Sequence, residues 1–414
     1  MDISRRSLLT GAAALAVPTS SFAGLFQDRP TIKVGLVGCG GRGSGAIRDN
    51  LTAEEGAVVW AMGDLLPDRV EGALKSLKND MPKRVDVGDR AFSGLDAYQK
   101  VLASGVDVVI FATPPGFRPI HIKAAVEAGK HIFTEKPVGV DGPGIRDVIE
   151  AAKKAKEKNL TIVAGTQRRH DLAYMECLKQ VRDGAIGEIT QMNFYWNQGG
   201  LWMVARKDGM TDLEYQVRNW LYFTCMSGDH IVEQHVHNLD VCNWAMQGHP
   251  VKATSMGGRQ SRVDPAYGHI YDHFATEYEY ANGVKLMSYC RQIDGCAQRV
   301  SEQLIGTKGI TNANTSIKGE KNWRWDGDRP NPYVLEHGRL YKSIKASEGF
   351  NEGIQVAEST LTAIMGRMSA YSGEEVTWDK AINSQVSLMP ANLTADSTIP
   401  IPPVAIPGTT KGVY

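Results

Sequence analysis

The chain has 414 residues, with 46 Lys plus Arg balanced by 46 Asp plus Glu, a hydrophobic fraction of 42% and a charged fraction of 22%. The length predicts about two domains, each able to bury a core. Zero net charge argues against nucleic acid or an anionic membrane surface as partner, because both recruit basic excess. Beyond the N-terminus no apolar run reaches the roughly 18 residues of a membrane helix.

In chain order, Ser4-Arg5-Arg6-Ser7-Leu8-Leu9 precedes a small, apolar stretch to Val17 and a small-residue exit, Ser21-Phe22-Ala23. That succession reads as a signal peptide over residues 1–23 with a twin-arginine start, and predicts a periplasmic or otherwise exported protein without a membrane span in its mature form. Cys39, Cys177, Cys225, Cys242, Cys290 and Cys296 include no C-x-x-C pair and predict no zinc finger or disulfide framework, although an oxidising compartment would permit a Cys290–Cys296 bridge.

Residues 31–160 alternate strand, turn and helix, the grammar of a parallel sheet. Strands are predicted at Ile32–Val37, Ala57–Met62, Val106–Ala112 and His131–Phe133, with a helical stretch over His121–Ala128 stopped by Gly129. A strand over Leu160–Ala164 begins the crossing into a second domain, residues 161–390. There Gln191–Trp196, Phe274–Tyr280 and Val284–Tyr289 read as antiparallel strands, the last two flanking the hairpin signal Asn282-Gly283. A helix is predicted over Ile231–Met246, and the proline-rich tail, residues 391–414, is expected to be an irregular arm. The fold class is therefore α/β: an N-terminal Rossmann dinucleotide-binding domain, then an α+β domain with a large, mainly antiparallel open sheet.

Gly38-Cys39-Gly40-Gly41-Arg42-Gly43 directly follows the first strand and directly precedes a helical stretch. Gly38, Gly40 and Gly43 suit the tight turn, the close approach to a pyrophosphate and the close helix packing that a dinucleotide requires, with the N–H groups around Gly41 and Arg42 facing the phosphates. Asp64 stands 21 residues after Gly43, where a carboxylate can accept hydrogen bonds from the adenosine ribose. That favours NAD; Arg42 or Arg69 would reverse the preference towards NADP by pairing with its extra phosphate. Thr113 and Pro114, at the end of a later strand, and His121 beyond them are expected along the cofactor, as are Glu135, Lys136 and Gln167.

Thr134-Glu135-Lys136-Pro137-Val138 brings Lys136 to the sheet edge where nicotinamide would lie. With the glycine turn, Gly165-Thr166-Gln167-Arg168-Arg169-His170, Gly184-Ala185-Ile186-Gly187-Glu188-Ile189 and the helix through His237, this motif makes the chain resemble the Gfo/Idh/MocA oxidoreductase family, which includes glucose–fructose oxidoreductase and inositol dehydrogenase. The resemblance covers nearly the whole mature chain. It implies that Lys136 contacts both the nicotinamide region and the reacting substrate hydroxyl, and that the catalytic base lies on the helix through His237. Family members commonly place Asp and His four residues apart there, whereas this chain has Glu233 and His237.

On a continuous helix Glu233 and His237 would share a face, with Glu233 orienting the imidazole and tuning it as a base. Two other readings stand beside this one. His230, Glu233 and His237 also share a face and are zinc-type ligands, without the H-E-x-x-H spacing, and the histidines can equally be structural. Arg168, Arg169, Tyr174, Trp196, Arg218 and Trp220 offer guanidinium forks and aromatic faces suited to a sugar or cyclitol ring, with His237 completing the substrate set. The expected activity is NAD(P)-dependent oxidation of a secondary hydroxyl of a sugar, glycoside or cyclitol, with no metal. The cofactor is expected to be non-dissociating, since an exported enzyme meets no obvious pool of soluble NAD. A redox-assisted glycosidase resembling the α-N-acetylgalactosaminidase branch, and a catalytically silent sugar- or dinucleotide-binding protein, are the alternatives. Homo-oligomers through the C-terminal sheet are usual in the family and expected here.

Overall fold

The computed structural model describes residues 31–410 and 412, so the segment read as a signal peptide, residues 1–23, lies outside the described residues. Strands β1 (Ile32–Val37), β2 (Ala57–Asp64), β3 (Ala91–Ser93), β4 (Val108–Phe111), β5 (His131–Thr134) and β6 (Ile162–Ala164) form a sheet in the order β3-β2-β1-β4-β5-β6. Every pairing is parallel. Helices cover both faces, so β4 is buried at every residue and the central strands are the continuous apolar runs the sequence shows. The strand order reverses between β1 and β4, which opens a crevice beyond their carboxyl ends, where α/β sheets bind ligands. β3 lies outside the predicted strands: it is three residues long, on the sheet edge and mostly exposed.

The second sheet has nine strands. β7 (Ile189–Gln198) lies between β10 (Lys285–Gln292) and β11 (Arg299–Gly306), and β9 (His273–Glu279), β8 (Lys252–Gly258) and β15 (Val376–Thr377) follow beyond β10. β12 (Gly309–Thr311), β13 (Ser316–Gly319) and β14 (Trp323–Arg324) complete the other flank. The sheet is mainly antiparallel as expected, with one correction: β7 and β10 run parallel. The β9–β10 hairpin forms at Asn282-Gly283, where Gly283 takes φ 82° and its N–H bonds the Tyr280 carbonyl. Along β10 the inward residues Leu286, Ser288, Cys290 and Gln292 alternate with half-exposed ones, so one face is core and the other stays open.

The covered face packs on helices Val236–Met246 and Gly353–Ser372, the latter buried along most of its length. Leu340 and Tyr341, on helix Pro332–Lys345, share a core with Val34, Leu36, Ile110 and Phe133, and Glu352 donates its N–H to the Ile162 carbonyl at the edge strand β6. The chain therefore returns to the first domain after completing most of the second. The described part of the tail is irregular and docked: Tyr271 donates to the Ala405 carbonyl at 2.9 Å, and Gln216 to the Ile399 carbonyl at 2.6 Å. All six cysteines are free thiols, so no Cys290–Cys296 bridge forms.

The helix expected over Ile231–Met246 is broken into His230–Glu233 and Val236–Met246. The His237 N–H bonds back to Gln234 instead of Glu233, which leaves the Glu233 carbonyl outside the helical ladder. That carbonyl instead accepts from Lys136 Nζ at 2.6 Å.

Candidate active site

The glycine turn has the geometry its composition demands. A Cβ on Gly43 would lie 1.8 Å from the Gly38 carbonyl oxygen, and Gly38 itself takes φ 96°, so neither position admits a side chain. Gly40 and Gly41 face open space on the side where phosphates would approach, with only Arg69 Nη1 within 4 Å of a Gly40 Cβ. The helix Gly41–Ala53 begins there without a side-chain cap or an acidic residue in its first turn, leaving N–H groups and the positive end of its dipole for an anion.

Asp64 accepts from the Cys39 N–H at 2.7 Å and from the Leu66 N–H at 3.0 Å. It braces the turn and still has acceptor capacity for a ribose hydroxyl. Burial raises its pKa from the ordinary aspartate value, against those two bonds. Gly38, Gly40, Asp64, Thr113, Pro114 and His121 line one cleft. His121 bonds Thr113 Oγ1 at 3.1 Å, and burial followed by the Arg118 charge lowers its pKa to about 3, so it is neutral.

A neighbouring cavity of about 520 Å³ is lined by Gly40, Gly41, Arg42, Gly43, Glu135, Lys136, Gln167, Glu233, His237, Arg218 and Trp220, and so brings together most of the remaining candidates. Arg42 departs from expectation. Its Nε donates to Glu135 Oε1 at 2.6 Å, Nη2 lies 3.5 Å from buried Glu336, and its guanidinium sits 4.7 Å over the Tyr333 ring. An arginine so committed is not available to pair with a cofactor phosphate, which leaves Arg69 as the group that could reverse the NAD preference. Gly165 permits this arrangement, since a Cβ there would meet Glu135 Oε2 at 2.5 Å.

Lys136 Nζ donates to both the carbonyl oxygen and Oε1 of Glu233, at 2.6 and 3.0 Å. Glu233 is thus the partner of the lysine, which corrects the expected Glu233–His237 pairing. The break after Glu233 is the reason: the two residues no longer share a continuous helical face. The His237 side chain makes no hydrogen bond among the described residues, and its ring stacks on Trp196 at 5.6 Å with 19° between planes. Burial, then the charges of Lys136, Arg168 and Arg42, hold its pKa well below the ordinary imidazole range. His237 is thus a neutral imidazole in the cavity that Lys136 also lines.

Four residues assigned to substrate stand behind this cavity. Arg168 pairs with Glu302, which also accepts from Tyr174 at 3.2 Å and from Asn238 at 2.8 Å, and the Arg168 guanidinium lies 5.5 Å from the Trp196 ring. Arg169 is clasped by Asp240 at 2.8 to 3.1 Å. Arg168, Arg169, Tyr174 and Trp196 therefore form a supporting layer in which both arginine charges are spent on carboxylates distant in sequence; Arg218 and Trp220 do line the cavity. The zinc-type alternative also loses its geometry. His230 is wholly buried against Asp229 at 3.0 Å, and among the described residues no three potential ligands are placed to hold a metal ion.

Sequence reasoning missed Trp202, Arg118, Gln234 and Tyr333 as cavity-lining residues, and Glu302 as the support of Arg168. Glu302 carried a readable signal, an acidic residue on the same strand parity as buried Leu304. Arg118 and Tyr333 stand at the N-terminal ends of helices Arg118–Glu127 and Pro332–Lys345, and Trp202 and Gln234 lie between regular elements, so no periodic pattern marks them.

Residues 32–164 match a family model described as the oxidoreductase family with an NAD-binding Rossmann fold, and residues 174–312 match the GFO/IDH/MocA C-terminal domain. An inositol 2-dehydrogenase of Azotobacter vinelandii is 26% identical over 259 residues, 62% of this chain and 66% of that protein. A glycosyl hydrolase family 109 protein of Streptomyces coelicolor is 30% identical over 167 residues, 40% of this chain and 34% of that protein. These matches span between about a third and two thirds of the relatives' lengths. The scyllo-inositol dehydrogenase of Lactobacillus casei, solved with bound cofactor NAD(H) and scyllo-inositol, shares the fold with a TM-score of 0.63 at 20% identity, over 84% of this chain and 99% of that one.

Proposed function

Because the chain belongs to the Gfo/Idh/MocA oxidoreductase family, we propose that it oxidises a secondary hydroxyl of a sugar, glycoside or cyclitol with a nicotinamide dinucleotide. The residues present fit that cofactor. The uncapped helix start and the open space at Gly40 and Gly41 suit a pyrophosphate, Asp64 suits the ribose of NAD, and Gln167 Oε1 is a buried, unpartnered acceptor beside the cavity holding Lys136. When bound, the nicotinamide takes up the two electrons of the carbinol C–H bond as hydride.

One observation carries the assignment of roles. An ammonium has three donors, and Lys136 spends two on Glu233, which leaves one for a substrate oxygen in the same cavity as neutral His237. Lys136 stabilises the negative charge that develops on that oxygen, and His237 accepts the hydroxyl proton. Glu233 is a positioning residue that fixes the ammonium. Trp196, itself bonded to Gln198 at 2.7 Å, fixes the plane of the imidazole.

Export through the twin-arginine segment Ser4–Leu9, retention of the cofactor through turnover, and homo-oligomers through the open sheet face belong to the same reading. They are supported by the residue order of 1–23 and by the uncovered face of the second sheet. A second reading, redox-neutral glycoside hydrolysis, is favoured by the 30% identity to the Streptomyces protein. The test is to identify nucleotide co-purifying with the protein by mass spectrometry, then add a panel of cyclitols, hexoses and aryl glycosides while following NADH absorbance. Net NADH with ketone formation supports oxidation. Aglycone release without net NADH supports hydrolysis, and neither product from any member of the panel contradicts both.

A further inference from the structure

Residues 199–223 leave the second sheet at the end of β7 and pack on the first domain. Leu213, Val217, Leu221 and Tyr222 share one apolar cluster with Leu66, which follows β2, and with Phe117, which follows β4. The same segment closes the cofactor crevice from outside: Val217 and Trp220 line the cleft together with Gly38, Gly40, Asp64 and Thr113. Trp220 also lines the cavity of Lys136, so it stands over the junction of the two.

Polar contacts on both sides of the segment add to this packing. Arg218 makes a two-pronged pair with Asp68, at the start of the helix after β2, through Nη1 at 3.0 Å and Nη2 at 2.8 Å, while its Nε bonds Glu214 at 2.9 Å. Behind it, Gln216 is locked to the tail by a reciprocal pair with Ile399, 2.6 Å to the carbonyl and 3.2 Å from the N–H. Thr398 adds a bond to Asp212 at 2.7 Å. The second domain and the C-terminal arm thus brace one side of a bridge whose other end rests on the cofactor-binding domain.

We propose that residues 199–223 are a coenzyme strap: the adenosine half of the dinucleotide lies beneath Val217 and Trp220, and it leaves only when Arg218 releases Asp68. This rests on the nicotinamide reading above and gives retention of the cofactor a cause within the fold. The latch is also the weaker of the two contacts. The Asp68 side chain is 58% exposed, so salt screens the pair, whereas Gln216 is 2% exposed. Opening therefore swings the strap about its tail-bound side.

The test loads the full-length protein with labelled NAD and measures the rate at which excess unlabelled NAD displaces it. Arg218→Ala and Asp68→Asn are each expected to speed exchange roughly fivefold, the worth of one such ion pair. The double variant should be no faster than either single one, because both remove the same contact. Raising the salt concentration should speed exchange in the unsubstituted protein and not in the variants. Near-UV circular dichroism shows whether each variant is folded, and Asp68→Asn keeps side-chain shape should Arg218→Ala fail to fold. Bound label whose exchange ignores both substitutions and salt overturns the strap alone. Failure of the unsubstituted protein to bind labelled NAD overturns the nicotinamide reading beneath it.

Discussion

The ammonium of Lys136 is fixed by Glu233 from two directions, 2.6 Å from its carbonyl oxygen and 3.0 Å from its carboxylate. The carbonyl is free to accept because the helix breaks at that residue. Glu233→Gln keeps the carbonyl contact and loses the ion pair, so Lys136 stays near the cavity with less precise aim. Turnover should fall about 10- to 100-fold while KM changes by less than about threefold, the signature of a positioning residue. Steady-state kinetics on the substrate found by the panel checks this; a rise in KM with kcat intact contradicts it.

His237 is held neutral first by burial and then by the charges of Lys136, Arg168 and Arg42. Removing one of those charges relieves part of the penalty on the imidazolium. In Lys136→Met the His237 pKa should therefore rise, yet stay below the ordinary value near 6.5 because burial is the larger cause. Imidazole NMR titration reads this without catalysis. An unchanged or lowered His237 pKa in the variant would show that the two groups do not share a cavity.

Acid should destabilise the fold well before carboxylates titrate. His121 and His235 are lowered to about 3 and His269 to about 4, each chiefly by burial. Unfolded, each has a pKa of about 6.5, so the unfolded chain binds more protons between that value and the folded pKa values. Stability is fully present above about pH 6.5 and is lost as pH falls towards 4, at about 1.4 kcal/mol per pH unit per histidine. Urea midpoints at pH 7.0, 5.5 and 4.5 should decline in that order, and equal midpoints at pH 7.0 and 5.5 would refute the account.

The glycine turn separates folding from binding. Gly43→Ala places a Cβ 1.8 Å from the Gly38 carbonyl oxygen, so it should cost about 1–3 kcal/mol of stability and weaken nucleotide binding as well. Gly41→Ala meets nothing within 4 Å, so the fold should tolerate it and only dinucleotide affinity should drop. Thermal melts and nucleotide titration of the two variants check the contrast. Equal affinity in Gly41→Ala and the unsubstituted protein would place the pyrophosphate elsewhere.

The first domain was legible because buried parallel strands are continuous apolar runs and the glycines fall between strand and helix; β3 escaped because exposed edge residues carry no such run. The cavity's lining was legible in part, and its pairings less so. Lys136, Glu233 and His237 line one cavity, but the helix periodicity that suggested a Glu233–His237 pair runs through a break whose freed carbonyl is taken up by a lysine 97 residues earlier. Arg168 and Arg169 look free as sequence because Glu302 and Asp240, which neutralise them, lie 134 and 71 residues away. Local patterns report elements and sheet edges; a buried charge's partner is decided by topology.

The most direct test of the central claim is single-turnover reduction of bound NAD by saturating substrate in Lys136→Met, mixed rapidly and followed at the NADH band. With the ammonium gone, nucleotide should remain bound and reduction should slow by about 10²–10³-fold or more, the worth of one donor to a developing oxyanion. Reduction at the rate of the unsubstituted protein would contradict the account.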